Sequence, residues 1–182
     1  MHFIVGLICF FKGFLQKNGK FRYRKVRKVY SPRKWRTLRN NKDNRMKYDY
    51  AVLELRKPQR QSFLKPVTYH GSRPVLLFNG FPSDKKPNTM WHTPCAILRK
   101  LGGYLMTNCH LPKGMSGAGG YQSVGKGSYV VKGIVVAAVS VRTRDRKTVK
   151  FNVVNPLTRA KTRLICKWIK AGSYCKSFPR QS

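Results

Sequence analysis

The sequence predicts an antiparallel β domain that is closed by a C-terminal helix. Short apolar segments recur between glycine and proline residues, which is the pattern of strands separated by turns. Their spacing is typical of a barrel or a sandwich. One segment near the C-terminus instead repeats its apolar residues with the period of a helix. The 182 residues suffice for about one to one and a half domains.

The first apolar segment, residues 1–11, has three interpretations. Its length is that of the apolar region of a signal peptide, but no basic residue precedes it and no small-residue cleavage site follows it. It is also compatible with a buried strand, or with a non-native start of the chain. Because Lys12 ends the run well short of the ~20 apolar residues that cross a bilayer, no membrane span is predicted.

Positive charge is concentrated in residues 12–47. The whole chain has 39 Lys and Arg against 5 Asp and Glu, a formal charge of +34, yet 41% of its residues are apolar. That apolar fraction excludes a merely disordered basic tail. Residues 21–30 interleave aromatic and basic side chains, a pattern that suits a polyanion such as a heparin-like glycan. The predicted contacts are Arg22, Arg24, Lys25, Arg27 and Lys28.

The alternative for this basic stretch is a solvated edge strand, whose cations discourage unwanted strand pairing. Specific recognition of nucleic acid is not predicted, because the sequence has no recognition helix, zinc finger or RNP-type motif. The charge therefore bears on the partners of the protein and not on its fold.

Apolar strands dominate the sequence after residue 47. Residues 51–55 alternate, so that every second side chain shares a face, and Pro58 ends the segment. Further strands are predicted at 75–78, 104–106, 129–131, 133–141 and 149–154.

The predicted helix comes last. Asn155 is the expected N-cap, Pro156 suits the first turn, and Gly172 ends the helix. Its apolar stripe consists of Leu157, Ala160, Leu164, Ile165, Trp168 and Ile169.

A serine flanked by glycines lies in residues 114–119, just before strand sequence. Glycine permits a tight turn that would point the Ser116 hydroxyl outward and leave the N–H groups of Gly114 and Ser116 free for a developing oxyanion. Taken alone, the motif is equally compatible with an ordinary glycine-rich hairpin turn.

An acid, Asp49, precedes the strand 51–55. This placement suits a carboxylate that orients an imidazole, as in a catalytic triad. The alternative is a surface carboxylate that compensates the basic stretch. Together, however, Asp49 and the later Ser116 have the order and the local chemistry of the second and third members of a His, Asp, Ser triad.

Residues 48–58 resemble the corresponding strand of the secreted trypsin-like group that contains serine protease 23 and serine protease 35. The basic strand before Pro32 shares the resemblance, as do the segments 78–81, 151–153 and 165–170. The resemblance implies a chymotrypsin-like double β-barrel with an incomplete first barrel and a C-terminal helix. It also implies a secreted serine endopeptidase that acts on proteins or peptides without a cofactor or a metal.

The same resemblance divides the chain into parts. It implies a partial protease domain at 12–178. Within it, residues 12–59 would be the remnant of the first barrel, residues 60–154 the second barrel and residues 155–171 the helix.

Individual site residues follow from the resemblance as well. Ser116 matches the nucleophile, Asp49 matches the acid, and the amides of Gly114 and Ser116 match the oxyanion hole. His110 occupies a position that lines the specificity pocket, where it would accept an acidic or polar side chain; the alternative is a structural histidine.

The cysteines favour disulfides over a metal site. Four of the five lie in two close pairs, Cys9 is left over, and no spacing suggests zinc, so an oxidising compartment is expected. By the resemblance, Cys95 and Cys109 close a loop before the nucleophile, and Cys166 and Cys175 match the C-terminal cysteines.

The histidine of the triad is not found. It should precede Asp49 in a segment like Thr-Ala-Ala-His-Cys, but His2 at the chain start does not fit, and His70, His92 and His110 all follow Asp49. We therefore expect a divergent, degenerate or N-terminally truncated relative that is inactive as it stands. The rival hypothesis is a non-catalytic cationic extracellular module that binds heparin-like glycans or other polyanions.

Overall fold

The computed structural model describes residues 3–6, 13–15, 21–23, 25–38, 40–57, 64–71, 75–87, 89–142 and 145–169, with side chains from Lys25 onward except Lys42 and Asp43. The described residues are mainly β structure. The strands are β1 Phe3–Gly6, β2 Gly13–Leu15, β3 Phe21–Tyr23, β4 Val26–Tyr30, β5 Ala51–Leu55, β6 Lys65–Pro66, β7 Val75–Gly80, β8 Trp91–Ala96, β9 Arg99–Leu101, β10 Tyr104–Thr107, β11 Gly119–Gly125, β12 Ser128–Arg142 and β13 Thr148–Pro156. The helices are α1 Arg33–Thr37, α2 Lys42–Met46 and α3 Arg159–Trp168.

These strands form three sheets. A small sheet has the order β1-β5-β4, and a large one has the order β8-β7-β11-β12-β13-β10-β9, with β6 beside β12. A third sheet pairs β2 with β3. Apart from the parallel pair of β6 and β12, neighbouring strands are antiparallel, as the sequence predicted. None of the described helices is long and apolar enough to cross a membrane.

The N-terminal segment includes a strand. Residues 3–6 form β1, which pairs with β5 so that Phe3 lies opposite Glu54 and Gly6 opposite Ala51. The strand interpretation is therefore the one that the structure shows for these four positions, and the other residues of 1–11 lie outside the described residues.

The long strand β12 joins two predicted strands, 129–131 and 133–141, into one. Gly133, the first residue of the second predicted strand, lies close to β13, because a Cβ there would lie 2.7 Å from Cγ1 of Val154. Glycine thus serves close packing of β12 on β13 and does not mark a turn.

The C-terminal helix is confirmed, but its predicted start at Asn155 is wrong. Asn155 and Pro156 end β13, opposite Ile134 and Gly133. Thr158 caps α3 instead, since its side chain accepts a hydrogen bond from the backbone N–H of Lys161. The predicted end, Gly172, lies outside the described residues.

Two buried clusters position the site. The first lies under the Ser116 turn and includes Phe78, Leu105 and Met115. The second joins the small sheet to the large sheet and to α3, and its buried members are Tyr50, Val52, Ile134, Leu157 and Ile165. Burial of such side chains is the main favourable term in folding, so Tyr50 and Val52 hold the start of β5 against the large sheet.

Candidate active site

The serine motif forms a turn with two left-handed glycines. Gly114 has a φ of 89° and Gly117 a φ of 86°. Residues other than glycine rarely adopt these backbone angles. Between them Met115 is 1% exposed and anchors the turn in the core beneath it. Ser116 lies half-buried at the surface above that anchor.

Backbone amides in this turn alternate between bonded and open. The amides of Met115, Gly117 and Ala118 each donate to a backbone carbonyl, at 2.8–3.1 Å. Those of Gly114 and Ser116 make no such bond with any residue that the structure describes. Two open N–H groups on either side of Met115 are the kind of donor pair that stabilises a developing oxyanion.

Gly114 is also required by close packing. A Cβ on Gly114 would lie 2.2 Å from the carbonyl oxygen of Phe81 and 3.3 Å from the amide nitrogen of Ser83. In addition, the Ser83 amide donates to the carbonyl of Lys113 at 2.8 Å. The segment 81–83 therefore fixes the approach to the serine.

The acid Asp49 is buried immediately before β5. It is 8% exposed, and its amide donates to the carbonyl of Met46 at 3.1 Å. Burial raises the pKa of its carboxyl group to about 6, and the charge of Arg45 opposes that rise only in part. The carboxylate makes no hydrogen bond with any described residue. It is therefore a desolvated acceptor, not a surface charge.

The other acids with described side chains all have partners. Glu54 pairs with Arg27 at 3.0 Å, Asp84 contacts His110 at 2.5 Å, and Asp145 lies 4.0 Å from Lys147. Asp49 alone among them makes no ion pair with a described residue, although the chain carries 39 cations.

A buried amide holds the segment before Asp49. Asn155 is 1% exposed, and its Nδ2 donates to the carbonyls of Met46 at 3.1 Å and Lys47 at 3.2 Å. Its Oδ1 accepts a hydrogen bond from Nζ of Lys161, which also donates to a backbone carbonyl. Sequence reasoning missed this role, although a polar residue at the end of the apolar strand 149–154 was a signal for it.

Residues next to Asp49 and to Ser116 are each associated with β12. Tyr50, the residue after Asp49, belongs to the same buried cluster as Ile134. On the other side, the amide of Gly117 donates to the carbonyl of Val135 at 2.8 Å. β12 therefore contributes to the buried cluster beside Asp49 and to the backbone hydrogen bond beside Ser116.

Comparisons with known proteins bear on this arrangement. No protein-family model matches the chain. Serine protease 23 of Bos taurus is 28% identical to it over 173 residues, which cover 88% of this chain and 44% of that protein. Inactive serine protease 35 of Rattus norvegicus is 25% identical over 165 residues, covering 85% of this chain and 39% of that protein. The chain thus spans less than half the length of these curated relatives.

A solved Glu endopeptidase matches with a TM-score of 0.62 at 15% identity, over 86% of this chain and 67% of that structure. The fold is that of the chymotrypsin-like serine proteases. The sequence similarity to serine proteases 23 and 35 and the double-barrel fold class with its C-terminal helix are both confirmed.

No histidine in the described part of this chymotrypsin-like fold makes a hydrogen bond with either candidate residue. His70 is exposed. His92 lies 2.8 Å from Oδ1 of Asn79 and 3.0 Å from the Tyr121 hydroxyl. His110 contacts Asp84. His2 lies outside the described residues.

The contact between His110 and Asp84 also bears on the specificity pocket. The side chain of His110 is 71% exposed, and its Nε2 lies 2.5 Å from Asp84. The hydrogen bond from His110 lowers the pKa of the Asp84 carboxyl group. A ring already engaged by an acid from a neighbouring loop favours the structural alternative for His110.

One predicted disulfide is confirmed. Cys95 and Cys109 are bonded, with their Cα atoms 5.4 Å apart, so the chain between β8 and the end of β10 is closed before the serine turn. Cys166 is disulfide-bonded too. Cys175, its expected counterpart, lies outside the described residues.

The predicted polyanion contacts are unequal in the structure. Lys25 is exposed, and Lys28 is exposed with its Nζ 4.9 Å from the ring centre of Tyr30. Arg27 instead pairs with the buried Glu54. The side chains of Arg22 and Arg24 lie outside the described part of the chain.

Replacement of Gly114 tests whether close packing shapes the turn. We expect Gly114→Ala to lower the free energy of unfolding by ~3 kcal/mol or more, because backbone strain and the clash with Phe81 add. Gly127→Ala is the matched control: φ is also positive, at 68°, but nothing lies within 4 Å, so strain alone should cost ~1 kcal/mol. Urea denaturation measures both, and equal losses would show that the Phe81 contact is unimportant.

Replacement of Asp49 tests its desolvation. Because the folded-state pKa is raised, the native state binds a proton more tightly than the unfolded chain, so wild-type stability falls as the pH rises from about 4 to about 6. Asp49→Asn removes this pH dependence. The difference in the free energy of unfolding between the variant and wild type should therefore be ~2 kcal/mol more favourable to the variant at pH 8 than at pH 4.

Chemical denaturation at the two pH values measures this difference. Asp145→Asn is the control, since the side chain of Asp145 is 68% exposed. A stability change in the Asp49 variant that is the same at both pH values would contradict the desolvation of this carboxylate.

Proposed function

We propose that Ser116 and Asp49 are the nucleophile and the imidazole-orienting acid of a serine-type endopeptidase site, with the amides of Gly114 and Ser116 as the oxyanion hole. The observation that carries the proposal is the buried carboxylate of Asp49, which makes no ion pair with a described residue although the chain has a charge of +34. Perturbed buried acids of this kind are concentrated at functional sites.

The geometry supports a separate role in acyl transfer for the serine, for the two backbone amides and for the acid. Ser116 stands on a rigid turn, so its hydroxyl is presented without a conformational search. The open amides of Gly114 and Ser116 would stabilise the negative charge that forms on a substrate carbonyl oxygen. Asp49 would fix the tautomer of an imidazole and stabilise its protonated form.

The missing part is the general base. A serine hydroxyl is a weak nucleophile at neutral pH until an adjacent base removes its proton. No described histidine makes a hydrogen bond with Ser116 or Asp49, so the described part of the chain is proposed to lack the general base and to be inactive as it stands. The oxyanion hole and substrate binding by themselves leave only about 10³–10⁴-fold acceleration over water.

The setting of this site follows from its chemistry. The substrates would be proteins or peptides, with no cofactor or metal. The disulfide between Cys95 and Cys109 supports a secreted, oxidising environment, because such bonds persist outside the reducing cytosol.

Added imidazole tests the proposal directly. We expect the folded chain to react slowly with a fluorophosphonate probe, and imidazole to accelerate this reaction by ~10-fold or more, because it supplies the missing base. Ser116→Ala should abolish labelling, whereas Ser128→Ala, which removes an exposed serine at the start of β12, should not. Asp49→Asn should retain labelling but lose most of the acceleration.

Intact-protein mass spectrometry measures the labelled fraction over time. Labelling that persists in Ser116→Ala, or that does not respond to imidazole, would overturn the assignment. Labelling of the urea-unfolded chain at the same rate would do so as well, because the folded turn would then contribute nothing.

A second function, polyanion binding, is favoured by a separate observation. The chain carries a charge of +34, and Lys25 and Lys28 are exposed on or beside one edge strand. Arg27 is less suited to this role because it neutralises Glu54.

Heparin chromatography tests this second function. Lys25→Gln/Lys28→Gln should elute at a lower salt concentration than wild type and reduce the salt slope of binding by ~1–2. Lys86→Gln/Lys126→Gln removes the same charge from exposed positions elsewhere and should elute later than the first variant. Identical elution of the two variants would show that net charge, not this strand, governs retention.

A further inference from the structure

A cavity of about 750 Å³ lies between α1, the segment before β5, the turn at 102–103 and α3. Cavities of this size suit ligand binding. The residues of the serine turn do not line it. Its lining includes Arg33, Lys47, Tyr50, Ala160, Leu164 and Trp168.

One wall of the cavity is aromatic and apolar. The ring of Trp168 lies 6.0 Å from that of Tyr50 and 6.1 Å from that of Tyr30. Leu164, one turn earlier on α3, continues this wall. Such a surface favours contact with a large apolar side chain, because burial removes the apolar surface of both from water.

The charged residues of the lining are all cationic. The lining includes Arg33, Lys34, Arg36, Lys47 and Lys161 but no carboxylate. Partial burial and, to a lesser degree, the charge of Lys47 together lower the pKa of the Lys161 ammonium to about 8. The positive charges here thus repel one another, and an anion in the cavity would relieve that repulsion.

We propose that this cavity binds an acidic peptide segment of a partner protein that carries one large apolar side chain. The apolar residue lies against Leu164, Tyr50 and Trp168, and the flanking carboxylates meet the cations of α1 and Lys47. A heparin-like glycan would satisfy the cations but has no large apolar side chain for the wall, so the peptide matches both halves of the lining. This proposal does not depend on activity at Ser116.

The test uses a fluorescein-labelled synthetic peptide of Asp and Glu residues around one central Phe, with anisotropy as the readout on the full chain. Arg33→Gln/Lys34→Gln should weaken binding ~10-fold by removing two rim charges. Ala160→Phe fills the cavity from an exposed helix position and should weaken it at least as much without a change of charge. Lys86→Gln/Lys126→Gln, the matched control for charge, should stay within ~2-fold of wild type.

A second peptide with Ala in place of Phe separates the apolar contact from charge. We expect it to bind ~10-fold more weakly to wild type and to respond little to Ala160→Phe. Near-UV circular dichroism confirms that each variant is folded.

Three results would overturn the proposal. The first is equal affinity for the Phe and Ala peptides. The second is unchanged binding of the Phe peptide to folded Ala160→Phe. The third is that a heparin-derived tetrasaccharide binds more tightly than the Phe peptide and loses affinity in Ala160→Phe. That result would assign the cavity to a glycan.

Discussion

The position of Asp49 depends on the buried side chain of Asn155. Its amide group donates to the carbonyls of Met46 and Lys47 and accepts from Lys161, so all its polar atoms are used at 1% exposure. A buried amide without partners would cost several kcal/mol, and this cost makes the three contacts mutually dependent. Through them the last residues of β13 fix the chain just before Asp49, while the cluster around Tyr50 fixes the chain just after it. The acid is held from both sides by the large sheet.

The same residue shows why local patterns predicted part of the fold and missed the rest. The strands were readable because glycine and proline residues separate short apolar segments, which is a local property. Asn155 followed by Pro156 has the composition of a helix start, but pairing of β13 with β12 and the bonds to Met46 and Lys47 extend the strand through both. The short helices α1 and α2 were missed for a similar reason. Their five residues have no apolar stripe, and the guanidinium of Arg45 instead packs 3.9 Å from the ring centre of Trp35.

The candidate site was likewise predictable from local sequence patterns only in part. The serine turn was readable because glycines at fixed spacing limit the backbone conformations available to it. The identity of Asp49 as a candidate was readable from its place before a strand, but its burial was not, because Asp145 looks no different in the sequence and lies exposed in a turn. Whether an acid is neutralised depends on which cations the fold brings near it. That is a tertiary property, and so are the pairing of Arg27 with Glu54 and of His110 with Asp84.

The contacts of Arg45, the cation whose charge acts on Asp49, explain why the Asp49 carboxylate makes no ion pair with it. The charge of Arg45 partly opposes the rise in the pKa of Asp49 that burial causes. Yet the Nε of Arg45 donates to the carbonyl of Trp35 at 3.0 Å, and the guanidinium of Arg45 stacks on the Trp35 ring. The contact that builds the corner between α1 and α2 therefore holds this cation away from a full ion pair. An imidazole would gain most from such an acceptor, because a desolvated carboxylate stabilises a positive charge beside it more strongly than a solvated one. Packing of Arg45 on Trp35 thus stabilises the corner between α1 and α2, and it also leaves the carboxylate of Asp49 without an ion pair to Arg45. The second effect would favour an imidazole as the partner of Asp49.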